Sequence, residues 1–366
     1  MRVLHVVKSL GRGGAERIVL EIARRGQVHG DEHAVLVANA KPDDMFTDFR
    51  HAGVEVHELR WRRRVSMLRL PATVRKVATK GKFDIVHGHF PLTSSFERLG
   101  RVGATFAYVF THHNIADRFA PITRGLNRLT WTLVDYGTSV SNDTHASVVR
   151  ELGGDVPSTV VWNGVDSKWF TRVADRSTAK RRHGINERVL VVGVVVSMRR
   201  QKRLDRWVDA AAHFARQVTG AVFLVVGDGP EFASMVRAVR EHGLDDRFVF
   251  AGAQEDPRPW YEAMDVFLMT SDYEGFGLVV VEAMAMGVVP VVTDVGPMDE
   301  IVGRHVGMVR PPDAKALADA IKWLHDHEAE RLAMAERGVV EVRERFDVDR
   351  MVRGYRDVYE AVLRRR

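Results

Sequence analysis

Two carboxylates, Glu274 and Glu282, stand with seven residues between them and a short glycine turn, Gly275-Phe276-Gly277, after the first. The apolar run at 266–269 reads as a buried strand that stops at Thr270-Ser271, and residues 278–287 are helix formers closed by Gly287. Strand, glycine turn and helix in that order have a chemical use. Glycine lets backbone amides come close to a ligand, and the helix start at Leu278 adds unpaired N–H groups and the positive end of the dipole. The product is an anion cradle suited to a phosphate. Glu282, four residues after Leu278, can face the same mouth. A carboxylate among Val279-Val280-Val281 and Ala283-Met284 needs a partner, and a sugar hydroxyl is one candidate. The competing reading is a structural turn with one capping and one solvated glutamate.

Three other places offer chemistry. The loop Ser197-Met198-Arg199-Arg200-Gln201-Lys202-Arg203 gathers cations after an apolar strand, where guanidinium or ammonium groups can hold phosphate. Gly11, Gly13 and Gly14 open a helical pattern, but Glu16 occupies the third glycine position of a dinucleotide loop, so only a glycine loop before a helix remains. His87 and His89 follow one strand end, and His112 and His113 follow another. Each histidine is by default a hydrogen-bonded structural residue, and each loop by default a turn.

These residues need a scaffold. Strand patterns recur at 2–8, 33–38, 54–59, 83–87, 104–111 and 159–162, with helical patterns between several of them, including 15–25. After a polar stretch a second series begins at 189–196, 221–226, 248–251, 266–269, 289–293 and 308–309. Alternating strand and helix predicts an α/β chain with parallel, doubly wound sheets, whose ligands sit at the carboxyl ends of strands. The expected divisions are a first domain at 1–166, a linker at 167–188 with a short helix at 177–183, a second domain at 189–346 and a final amphipathic helix at 347–366.

The stretch around the two glutamates, S-x-x-E-G-F-G-L-x-x-x-E-A-M-A-x-G-x-P-V-V, resembles the hallmark of glycosyltransferase family 4, retaining enzymes of the GT-B fold. The resemblance implies two Rossmann-like domains facing across a cleft, with a nucleoside-diphosphate sugar held mainly by the second and the acceptor by the first. It implies that Glu274 holds the transferred sugar and Glu282 the ribose, with Gly275, Phe276, Gly277 and Leu278 on the phosphates. Thr111-His112-His113-Asn114 is similar to the family's T-x-H-D, with Asn114 in place of the acid, and by that match His113 faces the donor sugar. Gly13 and Gly14 match a pair bordering donor phosphates and acceptor, and Gly252 and Ala253 fall where backbone meets the base. Lys202 matches the lysine of G-R-L-x-x-x-K-G, whereas Ser197 stands where the arginine is expected, so Arg199 or Arg200 is the substitute. The final helix crosses back to the first domain in the family.

The implied activity is transfer of a hexosyl unit from a UDP- or GDP-sugar to a hydroxyl of a glycan, lipid-linked or small-molecule acceptor, catalysed by Glu274, His113 and Lys202. A nucleotide-sugar-binding subunit without catalysis and a sugar-nucleotide epimerase on the same fold are the alternatives. No cofactor or metal is expected: Asp347-Val348-Asp349 sits after the last strand and reads as a helix start.

Composition narrows the setting. The 366 residues suffice for two full cores, and the absence of cysteine excludes disulfides and thiolate metal sites. The apolar runs are strand-length and far short of a bilayer span, and Met1 to Lys8 is too short for a signal peptide, so a cytoplasmic protein is expected. The net charge of +6 is uneven: residues 1–165 hold 23 basic and 16 acidic side chains, the remainder 31 and 32. Residues 60–82 contain nine basic residues and no acid, interleaved with Trp61, Met67 and Leu68. That stretch suits either a solvated face or peripheral contact with an anionic membrane or charged acceptor. Pro71 is expected to break any helix through it. Nucleic acid is a poor fit, since no recognition motif accompanies the charge.

Overall fold

The computed structural model describes residues 1–11, 13–40, 45–59 and 66–365. Among the described residues, thirteen strands form two parallel sheets. The first sheet uses β1 (Arg2–Val7), β2 (Glu32–Val37), β3 (Glu55–Glu58), β4 (Ile85–Gly88), β5 (Ala107–His112), β6 (Tyr136–Ser139) and β7 (Ser158–Val160) in the order β3-β2-β1-β4-β5-β6-β7. The second uses β8 (Val191–Val195), β9 (Val222–Val226), β10 (Phe248–Gly252), β11 (Val266–Met269), β12 (Val289–Thr293) and β13 (Met308–Arg310) in the order β10-β9-β8-β11-β12-β13. Near-continuous apolar strands such as Val222–Val226 follow from burial on both faces, the condition of a parallel sheet covered by helices. In each sheet the order reverses direction once, between β1 and β4 and between β8 and β11. Such switch points leave a crevice at the carboxyl ends of the two strands.

The chain divides into two compact units, 1–164 with 348–366, and 165–347. Residues 167–188, expected as a linker, are folded into the second unit. Their helix, Arg176–Arg182, is held by Asp265, which pairs with Arg176 at 3.1 Å and Lys180 at 2.7 Å and takes a third cation from Arg331 at 3.2 Å. Burial alone would raise the Asp265 carboxyl; Arg176, Lys180 and Arg331 outweigh it and hold it below its ordinary value. Val173 and Ala174 donate their amides to the buried Glu262. The ends of this unit lie side by side, since the Val165 amide donates to the Phe346 carbonyl at 2.9 Å.

The final helix, Val348–Arg364, packs into the first unit through Met351, Tyr355, Val358, Tyr359 and Val362, all buried. Arg25 pairs with Asp349, and Arg356 with Asp31 at 2.8 Å. Asp347 accepts from Ser167, so both acids of the D-x-D are spoken for by protein groups.

One expectation fails. A single helix, Ser66–Lys80, runs through Pro71. Proline there deprives only the Met67 carbonyl of its bond, and the cost is outweighed by Leu70 and Val74, which are fully buried on the same face. Residues 60–65 of the basic stretch lie outside the described residues. Strand β6 was not expected, because Tyr136-Gly137-Thr138-Ser139 carries no aliphatic run.

Candidate functional site

In the second unit, Lys202 and Glu274 lie on loops that leave β8 and β11, the two strands at the switch point. The Lys202 ammonium donates to Glu274 Oε1 at 2.6 Å, and Ser271 Oγ donates to the same oxygen at 2.6 Å. Glu274 is buried while Lys202 is partly open, with 18% of its side chain accessible. The loops are latched together. Thr270 Oγ1 donates to the carbonyls of Lys202 and Arg203, the Asp272 amide donates to the Gln201 carbonyl, and Tyr273 Oη donates to the Gln201 side chain. Arg203 and Arg206 pair with Asp272 from the other side. Neither Ser271 nor Thr270 has a role in the sequence reading, although Ser271 opens the hallmark stretch and Thr270 stands just before it.

Arg203 takes a left-handed backbone (φ 49°) as it starts the helix Leu204–Ala215. The conformation is costly for a residue with a side chain. It marks the place of the terminal glycine in G-R-L-x-x-x-K-G, a correspondence that sequence reading passed over.

Gly277 also takes a left-handed backbone (φ 87°) and precedes the helix Leu278–Ala285, so the amides of Leu278 and Val279 stand ahead of the helical ladder, while that of Val280 already donates to the Gly277 carbonyl at 2.9 Å. Gly275 and Phe276 are buried, with Phe276 edge-on to Phe346. At the other end of this helix, Arg172 donates to the carbonyls of Met286 and Gly287, and Arg176 to that of Gly287. Cations at a helix carboxyl end and an anion at its start are both favoured by the dipole. Burial, reinforced by Arg176, lowers Arg172 to about 10. Glu282 is buried, and the Tyr261 hydroxyl donates to it at 3.0 Å.

Arg199 and Arg200 are both exposed, as is Ser197. Arg200 lines a surface cavity of about 690 Å³ with Glu231, Ser234 and Tyr273, and neither Lys202 nor Glu274 belongs to that lining. The turn Gly227-Asp228-Gly229 is structural: a Cβ at Gly227 would lie 1.8 Å from the Val196 carbonyl oxygen, and the Met198 amide donates to the Asp228 carbonyl. Gly252 (φ 67°) ends β10, and Ala253 after it is exposed.

In the first unit, the candidate residues follow β1, β4 and β5, again around the switch point. Gly13 precedes the helix Gly14–Gly26, and a Cβ on it would meet the Glu16 carboxylate at 2.4 Å. His112 and His113 part company. His112 is buried beside Phe110 and Trp131, whereas His113 is half-buried and bonded through Nε2 to His89 Nδ1 at 3.1 Å. His89 and His87 are fully buried, with His87 held by Tyr359 and Thr111 at 2.7 Å each. Burial lowers His113 to about 4, so its ring is neutral at ordinary pH.

Comparison with known proteins agrees with this layout. The model of Glycosyltransferase Family 4 matches residues 12–169, and that of Glycosyl transferases group 1 matches residues 175–339. N-acetyl-alpha-D-glucosaminyl L-malate synthase of Bacillus anthracis is 31% identical over 81% of this chain and 80% of its own length. The lipopolysaccharide core biosynthesis mannosyltransferase LpsB of Rhizobium meliloti is 33% identical over 57% of this chain, which spans 62% of that protein. In structure, Anabaena HepE, solved with UDP and glucose, superposes with a TM-score of 0.86 over 99% of this chain and 100% of its own at 20% identity. At that identity the likeness speaks for the fold alone.

Proposed function

The chain belongs to glycosyltransferase family 4, with the GT-B type of fold, and on that premise we propose that it moves a hexosyl unit from a nucleoside-diphosphate sugar to an acceptor hydroxyl with retention at the anomeric carbon. One observation carries the reading. Lys202 and Glu274, 72 residues apart, meet at 2.6 Å where β8 and β11 diverge, next to the open helix start at Leu278. An ammonium has three donors, so Lys202 can keep Glu274 while giving two to a diphosphate.

In this reading the amides of Gly275 to Leu278 and the ammonium of Lys202 stabilise the charge that grows on the departing diphosphate. Fixed donors of that kind are commonly the largest catalytic contribution. Glu274, buried and held by Ser271, is the sugar-binding carboxylate, and Glu282 with Tyr261 reads the ribose. Gly252 and Ala253 meet the base. Arg199 is the better substitute for the arginine missing at Ser197, because Arg200 lines the separate cavity. In the first unit, His113 is taken as the sugar-facing group and Gly13 and Gly14 as the pair that meets phosphate and acceptor. No metal takes part, since the diphosphate charge is met by protein groups.

The test is incubation with UDP- and GDP-sugars, following slow donor hydrolysis, then transfer to glycan or lipid extracts, with EDTA present and with the product anomer read by NMR. The proposal expects an EDTA-insensitive product of unchanged anomeric configuration. Donor binding with neither hydrolysis nor transfer would instead indicate a binding subunit, and donor conversion without transfer an epimerase. LpsB and a phosphatidylinositol mannoside mannosyltransferase of Mycobacterium tuberculosis are named for lipopolysaccharide and lipid acceptors. With the basic helix Ser66–Lys80 in the first unit, this favours a lipid-linked acceptor at an anionic membrane surface. Among the described residues no helix is long and apolar enough to cross a membrane.

A further inference from the structure

Four histidines of the first unit are joined end to end. His33 Nδ1 meets His5 Nε2 at 3.0 Å, His5 Nδ1 meets His89 Nε2 at 3.0 Å, and His89 Nδ1 meets His113 Nε2 at 3.1 Å. The rings come from β2, β1 and the loops after β4 and β5, and successive rings stack within 5.2 to 5.4 Å of one another at shallow angles. We propose that His33, His5 and His89 are positioning residues, an imidazole chain in which all four rings share one tautomer, and that the chain thereby fixes which nitrogen of His113 bears the proton. The functional part rests on the reading of His113 as a sugar-facing group.

Counting protons fixes the arrangement. A neutral imidazole has one N–H and one lone pair. Burial holds all four rings below their ordinary pKa, and for His33 and His113 to about 4. Every link joins an Nδ1 to an Nε2. If His33 donates from Nδ1, then His5 must accept at Nε2 and so donate from Nδ1, and the same follows for His89 and His113. The only other neutral arrangement is the complete reverse, with every proton on Nε2. A ring that changed alone would set two N–H groups or two lone pairs face to face at links that are buried, or partly buried at His113. The free ends, His33 Nε2 and His113 Nδ1, have no hydrogen-bond partner among the described residues. Whether His113 Nδ1 offers a proton or a lone pair is therefore decided jointly with a ring three links away.

A rival use of the same rings is a metal centre, because nitrogens of His5, His87 and His89 lie within 4.8 Å of one another. Those nitrogens are already committed. His5 and His89 each use both in the chain, and His87 uses both on Tyr359 and Thr111.

Long-range ¹H–¹⁵N spectra of the ¹⁵N-histidine-labelled protein read the tautomer of each ring without any substitution. The expected result is one and the same nitrogen protonated in His33, His5, His89 and His113. His5→Leu should leave His113 averaging between tautomers, while His87 keeps its signature; His5→Asn, whose amide can accept on one side and donate on the other, should restore His113. With a donor in hand, His5→Leu should lower kcat by roughly tenfold, the scale on which orienting hydrogen bonds matter elsewhere, with donor KM little changed. Protons on different nitrogens along the chain overturn the proposal, as does a His113 signature unmoved in His5→Leu. So does a stoichiometric metal ion in the purified protein. Absence of any transfer activity would strike the glycosyl-transfer reading and leave the spectral result standing.

Discussion

Thr270 Oγ1 donates at once to the Lys202 carbonyl at 2.9 Å and the Arg203 carbonyl at 3.0 Å, tying the end of β11 to the cationic loop after β8. Together with the bonds from Asp272 and Tyr273 to Gln201, this hydroxyl sets the lysine and the loop bearing Glu274 in register before any ligand arrives. Preorganised charge of this kind needs little rearrangement as the reaction proceeds.

Lys202→Ala and Glu274→Ala should each lower turnover by on the order of 10²–10³ at saturating donor while the circular dichroism spectrum is unchanged. Because the two side chains touch, their effects should not add, and the double variant should lose much less than the product of the two single losses. Additive losses would show that the contact at 2.6 Å has no part in catalysis.

Arg203 offers a cleaner measurement. Arg203→Ala and Arg203→Gly both delete its pairs with Asp205 and Asp272, but only glycine relieves the left-handed backbone. In denaturant titrations the glycine variant should be the more stable of the two by about 1 kcal/mol. Equal stabilities would mean that this backbone carries no strain.

Stability should fall on mild acidification. His5, His33, His87, His89, His112 and His113 all have lowered pKa values in the fold, to about 4 for His33 and His113. For a group depressed on folding, the unfolded chain binds the proton first, so stability is intact above pH 6.5 and is lost as pH falls toward 4. Glu97 works the other way. Burial, opposed by hydrogen bonds from Tyr108 and Ser94, raises it to about 7, so its contribution is complete below about pH 4.5 and fades as pH climbs to 7. The histidines outnumber it, and unfolding free energies measured from pH 7 to 4 should fall by more than one proton's worth per pH unit. In Glu97→Gln the fall should be steeper still.

The helix Ser66–Lys80 presents Leu68, 74% accessible, beside exposed Arg69, Arg75, Lys76 and Lys80. Each cation near an anionic bilayer contributes about 1 kcal/mol, screened over about 8 Å. Co-sedimentation with anionic vesicles should therefore exceed that with neutral ones, decline with salt, and weaken when Arg62, Arg63 and Arg64 are changed to Ser. Equal binding to both vesicle types, or none, would make this a solvated face.

Much of this was legible in the chain itself. Val266–Met269 and Val289–Thr293 have the bounds expected of them, because apolar runs with sharp polar ends leave little freedom in a parallel sheet. Lys202 and Glu274 could be named because both fall in motifs that resemble the family's, which the charge of their loops alone did not single out. What sequence concealed were relations made by the fold. His5 and His33 sit inside aliphatic strands, an oddity visible in Val6-Val7 and Ala34-Val35, yet nothing local says that they meet each other and His89. Tyr261, partner of Glu282, is 21 residues away from it on another helix. Pro71 misled because helix propensity counts for less than the burial of Leu70 and Val74.

The hydrogen bond from Val165 to Phe346 has a topological meaning. The second unit leaves the first chain segment and returns to it at adjacent points, so it is a closed loop of 183 residues inserted between residues 164 and 348. Joining neighbours costs almost no closure entropy, and each unit keeps a sheet and core of its own. The chain is in this sense one protein written inside another. Melting can then proceed in two stages, and a nucleotide that binds only the inserted unit would raise the temperature of one stage and leave the other in place.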